Sequence, residues 1–346
     1  MKNKKVLLGM SGGVDSSVSA LLLKEQGYEV IGITLELWEE NEACHTEAKS
    51  ICDCIGISHV TYNGKEQFKT HVIQDFMDCY ANCKTPNPCI ECNKYMKFGV
   101  MWEKAKELGC DYIATGHYAK TEYSEKYNRW VLKKSNNEKK DQSYVLWTMP
   151  KQLIEHVLFP LADFETKDEI REIAKKNNLQ VASKPDSEDI CFIPDGNYKK
   201  FLENHSNLKP KAGNIVNAKG QILGTHTGLY NYTIGQRKGL GISNPVPLFV
   251  LGFNKVKNEV IVGEEKELYQ KEILVEAINL LLVDEIKEME VQVKTRYSSK
   301  VANALIKQEG NQIRVIFEEP QRAITPGQSA VFYKDDMVLG GGKIVT

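Results

Sequence analysis

Three groups of residues in this sequence have types and spacings suited to chemistry. The first is GMSGGVDSS at 9–17. Two adjacent glycines, flanking serines and one aspartate follow the apolar run VLL and precede a helical pattern. At such a turn the backbone N–H groups point outward at the positive end of a helix dipole, which makes an anion site. Gly12 and Gly13 let the backbone approach closely. Ser11, Ser16 and Ser17 add hydroxyl donors, and Asp15 can help place Mg2+. A Walker loop would end in Gly-Lys-Ser or Gly-Lys-Thr to grip the β- and γ-phosphates; this loop has no such lysine. Stripped of its flanks, Ser-Gly-Gly is a tight strand–helix turn with a capping serine.

The second group is cysteine. Cys89 and Cys92 form a CxxC beside Pro86 and Pro88, and Cys191 lies far downstream between Ile190 and Phe192. Thiolates are soft nucleophiles and natural sulfur carriers. Taken alone, Cys191 reads as a small buried apolar residue, and the CxxC as a redox pair. A zinc site drawing on Cys79, Cys83, Cys89 and Cys92 is a further alternative, because Cys79 and Cys83 are spaced i, i+4 on a predicted helix. The third group is basic and aromatic. Residues 199–238 hold seven Lys or Arg and one acid, Glu203, and Arg296 precedes Tyr297. Arginine can pair with phosphate while tyrosine stacks on an unpaired base. A solvated strand or loop is the plain alternative for each.

The elements that must position these groups change along the chain. The first 120 residues alternate strand and helix patterns: KKVLLGM, then SSVSALLLKEQG stopping at Gly27, then YEVIGITLEL, a helix ending at Gly56, and ISHVTYN. Two long helical stretches and the strand-like DYIATGHY follow. Alternation of this kind predicts a doubly wound parallel sheet, an α/β fold with ligands beyond the carboxyl ends of the strands. From about residue 270 the chain reads as all-β, with EVQVKTRYSS, ANALIKQ, QIRVIFEE and SAVFYKDD as strand-sized pieces, which predicts a small barrel. The expected division is 1–198 for a nucleotide-binding catalytic domain, 199–268 for a small basic central domain and 269–346 for a C-terminal β-barrel that binds RNA.

Composition sets limits. A chain of 346 residues, 42% hydrophobic and 26% charged, is ordinary globular material for two or three domains. A net charge of −1 excludes a strongly basic nucleic-acid binder overall but leaves room for a local patch. No apolar run approaches a membrane span, and VLLGM is too short for a signal-peptide core. A cytoplasmic setting without membrane contact is expected, in which the nine cysteines stay reduced.

The loop at 9–17 resembles the PP-loop of the ATP pyrophosphatase superfamily, whose members cut ATP between the α- and β-phosphates. TPNPCIECNKYMKF, DYIATGHYA, KKDQSYVLW, DSEDICFI, YTIGQRKGLGI, KTRYSS and TPGQSAVFY occur in that order. Together they resemble the bacterial-type tRNA 2-thiouridylase family over nearly the whole chain. The resemblance implies ATP with Mg2+, adenylation of O2 of the wobble uridine in tRNAs for Glu, Gln and Lys with release of pyrophosphate, and displacement of AMP by sulfur. It places ATP on Gly9, Met10, Ser11, Gly12, Gly13, Val14, Asp15, Ser16, Leu35 and Gly116. It places tRNA on Asn87, Pro88, Cys89, Lys140, Asp141, Gln142, Arg296 and Tyr297. It makes Cys191 the carrier of a persulfide received from a sulfur donor, and Cys92 its catalytic partner; the sulfur partner it implies is a sulfur-donor protein or, for the overall reaction, sulfide.

One position departs from the family. Many members have Asp after TPNP, where this chain has Cys89. With Cys92 and Cys191 that gives three thiolates, a set suited to a [4Fe–4S] cluster with one open iron. The persulfide and cluster routes both stand at this point. An amide-forming PP-loop ligase would need neither these cysteines nor a barrel. A non-catalytic RNA-binding module would not need an intact loop.

Overall fold

The computed structural model describes residues 4–38, 42–184 and 190–345, the side chains of 42–45 excepted. Cys44's side chain and the Asp186–Ser187 pair of the DSEDICFI motif lie outside the described residues.

The first sheet is formed by β1 (Lys5–Gly9), β2 (Glu29–Glu36), β3 (Ser58–Asn63), β4 (Tyr112–Ala114) and β7 (Val157–Leu158), in the order β3-β2-β1-β4-β7. Every neighbouring pair is parallel. The reason is visible in β1, whose side chains alternate between two cores. Val6 and Leu8 pack with Val18 and Leu23 of helix α1 (Val14–Glu25), while Leu7 packs on the other face with Phe98 and Met101. The chain winds outward from β1 to β3, then returns to place β4 on the far side of β1. The strand order therefore reverses between β1 and β4, and a crevice opens at their carboxyl ends.

The central region contributes β8 (Gly213–Asn217), β9 (Ile222–His226), β10 (Phe249–Asn254) and β11 (Glu259–Gly263), ordered β10-β11-β8-β9. At the C-terminus, β12 (Tyr269–Leu280), β13 (Glu288–Lys294), β14 (Ala302–Glu309), β15 (Gln312–Arg322), β16 (Ser329–Lys334) and β17 (Met337–Ile344) form an antiparallel ring, which the β12–β17 pairing closes. Val293, Ile306, Val315, Phe317 and Phe332 fill it.

Three features depart from the sequence reading. DYIATGHY is a strand only over Tyr112–Ala114, because the chain must then turn toward the 9–17 loop. The long strand β12 was not expected. Residues before 198 also reach the barrel: the hairpin of β5 (Lys120–Ser124) and β6 (Arg129–Lys133) extends the barrel sheet through Lys133 opposite Met337. Buried polar contacts tighten this junction. Trp147 Nε1 donates to Ser329 Oγ at 3.1 Å and Tyr144 OH to the Ser329 carbonyl at 3.0 Å.

Candidate active site

The 9–17 loop leaves β1 at the reversal point. Met10 N donates to the Ile33 carbonyl at 2.8 Å and Thr34 Oγ1 to the Met10 carbonyl at 3.0 Å, which ties the loop to β2. Gly12 takes φ +70°, a conformation that favours glycine. Gly13 caps α1 without a side-chain hydrogen bond, so the first N–H groups of that helix face outward for an anion. Ser16 Oγ and Ser17 Oγ both donate to the Gly13 carbonyl, at 3.1 and 2.8 Å, and hold the turn in shape. Leu35 stands half-buried at the carboxyl end of β2.

Asp15 is held from both sides. Its Oδ1 accepts from Tyr118 OH at 2.8 Å and its Oδ2 from Lys167 Nζ at 2.5 Å. Each carboxylate oxygen keeps a second lone pair, so a phosphate-bound Mg2+ fits beside this pair. Lys167 opens the helix Lys167–Lys176, whose Thr166/Glu169 capping box fixes its start. Gly116 packs directly on the loop.

The thiol centre lies at the start of the helical run 88–107. Pro88 begins this run, where its missing N–H costs nothing. Cys92 ends the first segment, and Asn93–Val100 continues as a π-helix. Wider turns of this kind often occur at functional positions. Cys92 is buried, whereas Cys89 and Cys191 are exposed. Burial pushes the Cys92 thiol up to about 12; Lys97 opposes this, and Cys191 and Cys89 add to it. Crowding by protein raises the Cys191 thiol to about 11, with Cys89 adding and Lys97 opposing. The three sulfurs thus share one neighbourhood, and Lys97 is the cation within it.

Lys97 also reaches the nucleotide side. Its Nζ lies 3.3 Å from His117 Nε2, and His117 Nδ1 lies 2.7 Å from Thr115 Oγ1. Burial, helped by Lys97, holds His117 well below its ordinary pKa and therefore neutral. An ammonium can only donate, so Nε2 accepts from Lys97 and Nδ1–H donates to Thr115.

Among the described residues no three His, Cys, Asp or Glu side chains form a metal-binding group. The described cysteines therefore do not present a ready-made zinc site. For zinc there is a further reason. The helix carrying Cys79 ends at Ala81, and Cys83 lies beyond it at φ +57°, so the two never share a helix face. Cys79 instead points its Sγ at Asp75 Oδ2, 3.9 Å away.

The expected RNA contacts divide into two kinds. Asp141 accepts from Ser135 N at 3.0 Å and Ser143 Oγ at 2.7 Å. Gln142 bonds the backbone of Tyr118 through its own N–H at 2.8 Å and through Oε1 at 3.0 Å. Both organise the loop next to the Tyr118 that holds Asp15. Arg296 is turned inward: its Nη2 donates to the carbonyls of Ala323, at 3.0 Å, and Ile234, at 3.3 Å, and to Thr325 Oγ1. It joins barrel to central region, in place of the outward phosphate contact expected from the sequence. Tyr297 is 42% exposed, enough for a base to stack on it. Burial raises its hydroxyl pKa, with Asp141 and Cys89 adding and Lys140 opposing. Asn87 and Pro88, half-buried and buried, flank Cys89 on the same turn.

Three further site residues, Tyr118, Lys97 and Lys294, lie within the motifs DYIATGHYA, TPNPCIECNKYMKF and KTRYSS, and a fourth, Lys167, lies outside every motif. Lys294 lies 5.4 Å from the Tyr297 ring centroid and 5.9 Å from that of Tyr144. Among the described residues it has no ion-pair partner, and burial lowers its pKa although Asp141 opposes.

Three family models cover the chain: a "tRNA methyl transferase HUP domain" over 4–195, a "tRNA methyl transferase PRC-barrel domain" over 199–264 and an "Aminomethyltransferase beta-barrel domain" over 270–344. Curated relatives carry a different chemical name. The tRNA-specific 2-thiouridylase MnmA of Clostridioides difficile (strain 630) is 46% identical, covering 99% of this chain and 98% of the relative. That of Acetivibrio thermocellus is 45% identical over 99% of this chain and 100% of the relative. The MnmA 1 of Clostridium botulinum (strain Langeland) is 47% identical over 99% of both. Identity at this level along the full length, with the nucleotide loop and both proposed cysteine positions included in the aligned span, decides the matter: the chain belongs to the tRNA-specific 2-thiouridylase family.

Proposed function

We propose that the protein thiolates C2 of the wobble uridine in tRNAs for Glu, Gln and Lys, in two steps on one face. As a member of its family it is a tRNA 2-thiouridylase, a sulfurtransferase. The observation that carries the reading is the Lys97–His117 contact, because His117 follows Gly116, which packs on the Asp15–Ser16 backbone of the loop.

In the first step the loop at 9–16 holds the β- and γ-phosphates, with Lys167 and Asp15 beside them. Mg2+ bound there supplies charge screening of the pyrophosphate. Uridine O2 attacks the α-phosphorus, the P–O bond to the β-phosphate breaks, and pyrophosphate leaves. This turns a poor leaving group into AMP.

In the second step Cys191 carries a persulfide: its thiolate takes the outer, sulfane sulfur of a persulfide on a sulfur-donor protein, whose own thiol leaves. The Cys92 thiolate attacks the inner sulfur of that persulfide, which forms a Cys92–Cys191 disulfide and releases hydrosulfide. Hydrosulfide attacks C2, and the C2–O bond breaks with AMP as leaving group. The disulfide then takes two electrons from an external thiol reductant before the next turnover. The exposed Lys199, Lys200, Lys209, Lys211, Lys219, Arg237 and Lys238 form the phosphate track that a near-neutral protein needs. An anticodon loop is single-stranded, so displaying its base costs less than opening a duplex. We assign the three functional segments to 1–198, 199–268 and 269–346.

The test is pyrophosphate release measured with and without cognate tRNA, alongside nucleoside analysis for 2-thiouridine. tRNA-dependent release with 2-thiouridine formed is the expected result. Release that needs no tRNA would transfer the protein to the small-molecule ligases of the superfamily.

A further inference from the structure

We propose that Lys343, on the last barrel strand, is a positioning residue for sulfur transfer: it grips Glu91 and so fixes the turn that carries Cys89 and Cys92. The inference rests on the thiolation reading and adds a barrel residue to its machinery.

Glu91 stands between the two cysteines, and its side chain is only 7% exposed. A buried carboxylate needs a partner, or its desolvation goes uncompensated. The partner comes from the far end of the chain. Lys343 Nζ lies 2.9 Å from Glu91 Oε1 and 3.0 Å from Asp75 Oδ1. Asp75 belongs to the helical run 65–81, so one ammonium ties β17, that run and the CxxC turn together. Burial opposes the charge on Lys343, and the two carboxylates outweigh it, holding the group above its ordinary pKa.

The same turn is gripped from its other side by the barrel loop 325–328. Thr85 N donates to the Pro326 carbonyl at 2.9 Å. Gln328 Nε2 donates to the carbonyls of Thr85, at 3.0 Å, and Pro86, at 3.1 Å. Gly327 sits at φ +90°, and a Cβ there would stand 2.9 Å from Lys84 Cβ and 3.0 Å from the Thr85 carbonyl oxygen, so only glycine lets the two loops touch. The loop is in turn locked to β17, with Gly327 N on the Ile344 carbonyl at 3.0 Å and Ile344 N on the Gln328 carbonyl at 2.8 Å. Residues 84–91 are therefore held near both ends by one barrel edge. Sulfur transfer requires reacting atoms aligned near contact distance, and an error of about 1 Å costs on the order of a hundredfold.

The experiment compares Lys343→Met, Lys343→Arg and the double variant Glu91→Gln/Lys343→Met in the full chain. Cys92 alkylation by iodoacetamide is mapped by mass spectrometry, and thiolation is measured at saturating ATP and tRNA. The double variant leaves no lone charge at the Glu91–Lys343 contact, so it decides the issue even if Lys343→Met does not fold. Expected are faster Cys92 alkylation and thiolation slower by roughly tenfold or more in both Met-containing variants. KM for tRNA and ATP binding without tRNA should stay at the wild-type level, and Lys343→Arg should recover most of the rate. Wild-type alkylation and turnover in the double variant would overturn the proposal, because charge compensation would then be the whole role of Lys343. Parallel loss of ATP binding would overturn it too. Alkylation needs no turnover, so it tests the brace separately from the thiolation reading.

Discussion

Gly116 and Asp15 meet backbone to backbone: a Cβ added to Gly116 would stand 3.0 Å from the Asp15 carbonyl carbon and 3.0 Å from Ser16 N. Neither neighbour is the end of a flexible side chain. The strand end after β4 thus sets the position of the nucleotide loop across the crevice.

Gly116→Ala should therefore push the loop away from its resting place. Overpacking of this kind costs about 1–3 kcal/mol, and the damage falls on the nucleotide site. Calorimetry should show ATP binding weakened by tenfold or more, with a modest fall in Tm. Unchanged ATP affinity would mean that the loop is free to move aside.

Asp15→Ala removes the group shared by Tyr118 and Lys167. Formation of AMP and pyrophosphate should be abolished while circular dichroism stays native. Lys167→Met should act in the same direction, because Asp15 would lose the ammonium that holds its Oδ2. The nucleotide products discriminate here: ADP and phosphate would contradict a loop that holds pyrophosphate.

Much of this arrangement was legible in the sequence, and the rest was not, for a common physical reason. Strand–helix alternation and the stops at Gly27 and Gly56 gave the parallel sheet, because local periodicity fixes which face is buried. The barrel strands after 288 were readable for the same reason. β12 was missed because its YQKE start is exposed and polar and carries no alternation. Lys167, Lys97, Lys294 and Lys343 were invisible as site residues. Lysine is ordinarily a solvated side chain, and only a tertiary partner gives it a role. Arg296 shows the converse. An Arg-Tyr pair reads as an RNA contact, yet the fold turns the guanidinium onto carbonyls of the 234 and 323 segments.

Lys294 and Arg296 should separate in experiment. Lys294 is half-buried beside the exposed Tyr297, so a tRNA phosphate is a suitable counter-charge for it. Lys294→Gln should weaken tRNA binding and reduce the salt dependence by about one phosphate contact. Arg296→Ala should lower Tm instead, by unfastening barrel from central region, and change the salt slope little. A full unit lost from the slope in Arg296→Ala would show that the guanidinium swings outward to RNA.

The pH dependence of Cys92 follows from its raised thiol. Below its pKa a thiol gains tenfold in thiolate per pH unit, and an ordinary cysteine levels off near pH 8.5. With the group pushed up to about 12, alkylation of Cys92 should keep rising through pH 10 with a slope near one. Lys97 opposes that shift, so Lys97→Met should slow alkylation at each pH. A plateau near pH 8.5 in the wild-type protein would show that the thiol is not desolvated in solution.

The route of sulfur is decided at Cys89. That thiol is exposed, whereas Cys92 is buried, and both interact electrostatically with Cys191. In the persulfide reading Cys89 is only part of the surface under the target base, and Cys89→Asp restores the residue common in the family. This variant should thiolate tRNA at close to the wild-type rate with a sulfur-donor protein, and strict iron chelation should change nothing. Cys92→Ser and Cys191→Ser should both be inactive, because one removes the nucleophile and the other the carrier. A [4Fe–4S] cluster would reverse the pattern at Cys89. Three thiolate ligands converging on iron would make Cys89 as necessary as the other two. Cys89→Asp would then lose bound iron and activity together, and anaerobically prepared wild-type protein would carry about four irons. Iron content and thiolation rate measured on the same Cys89→Asp sample therefore choose between the routes.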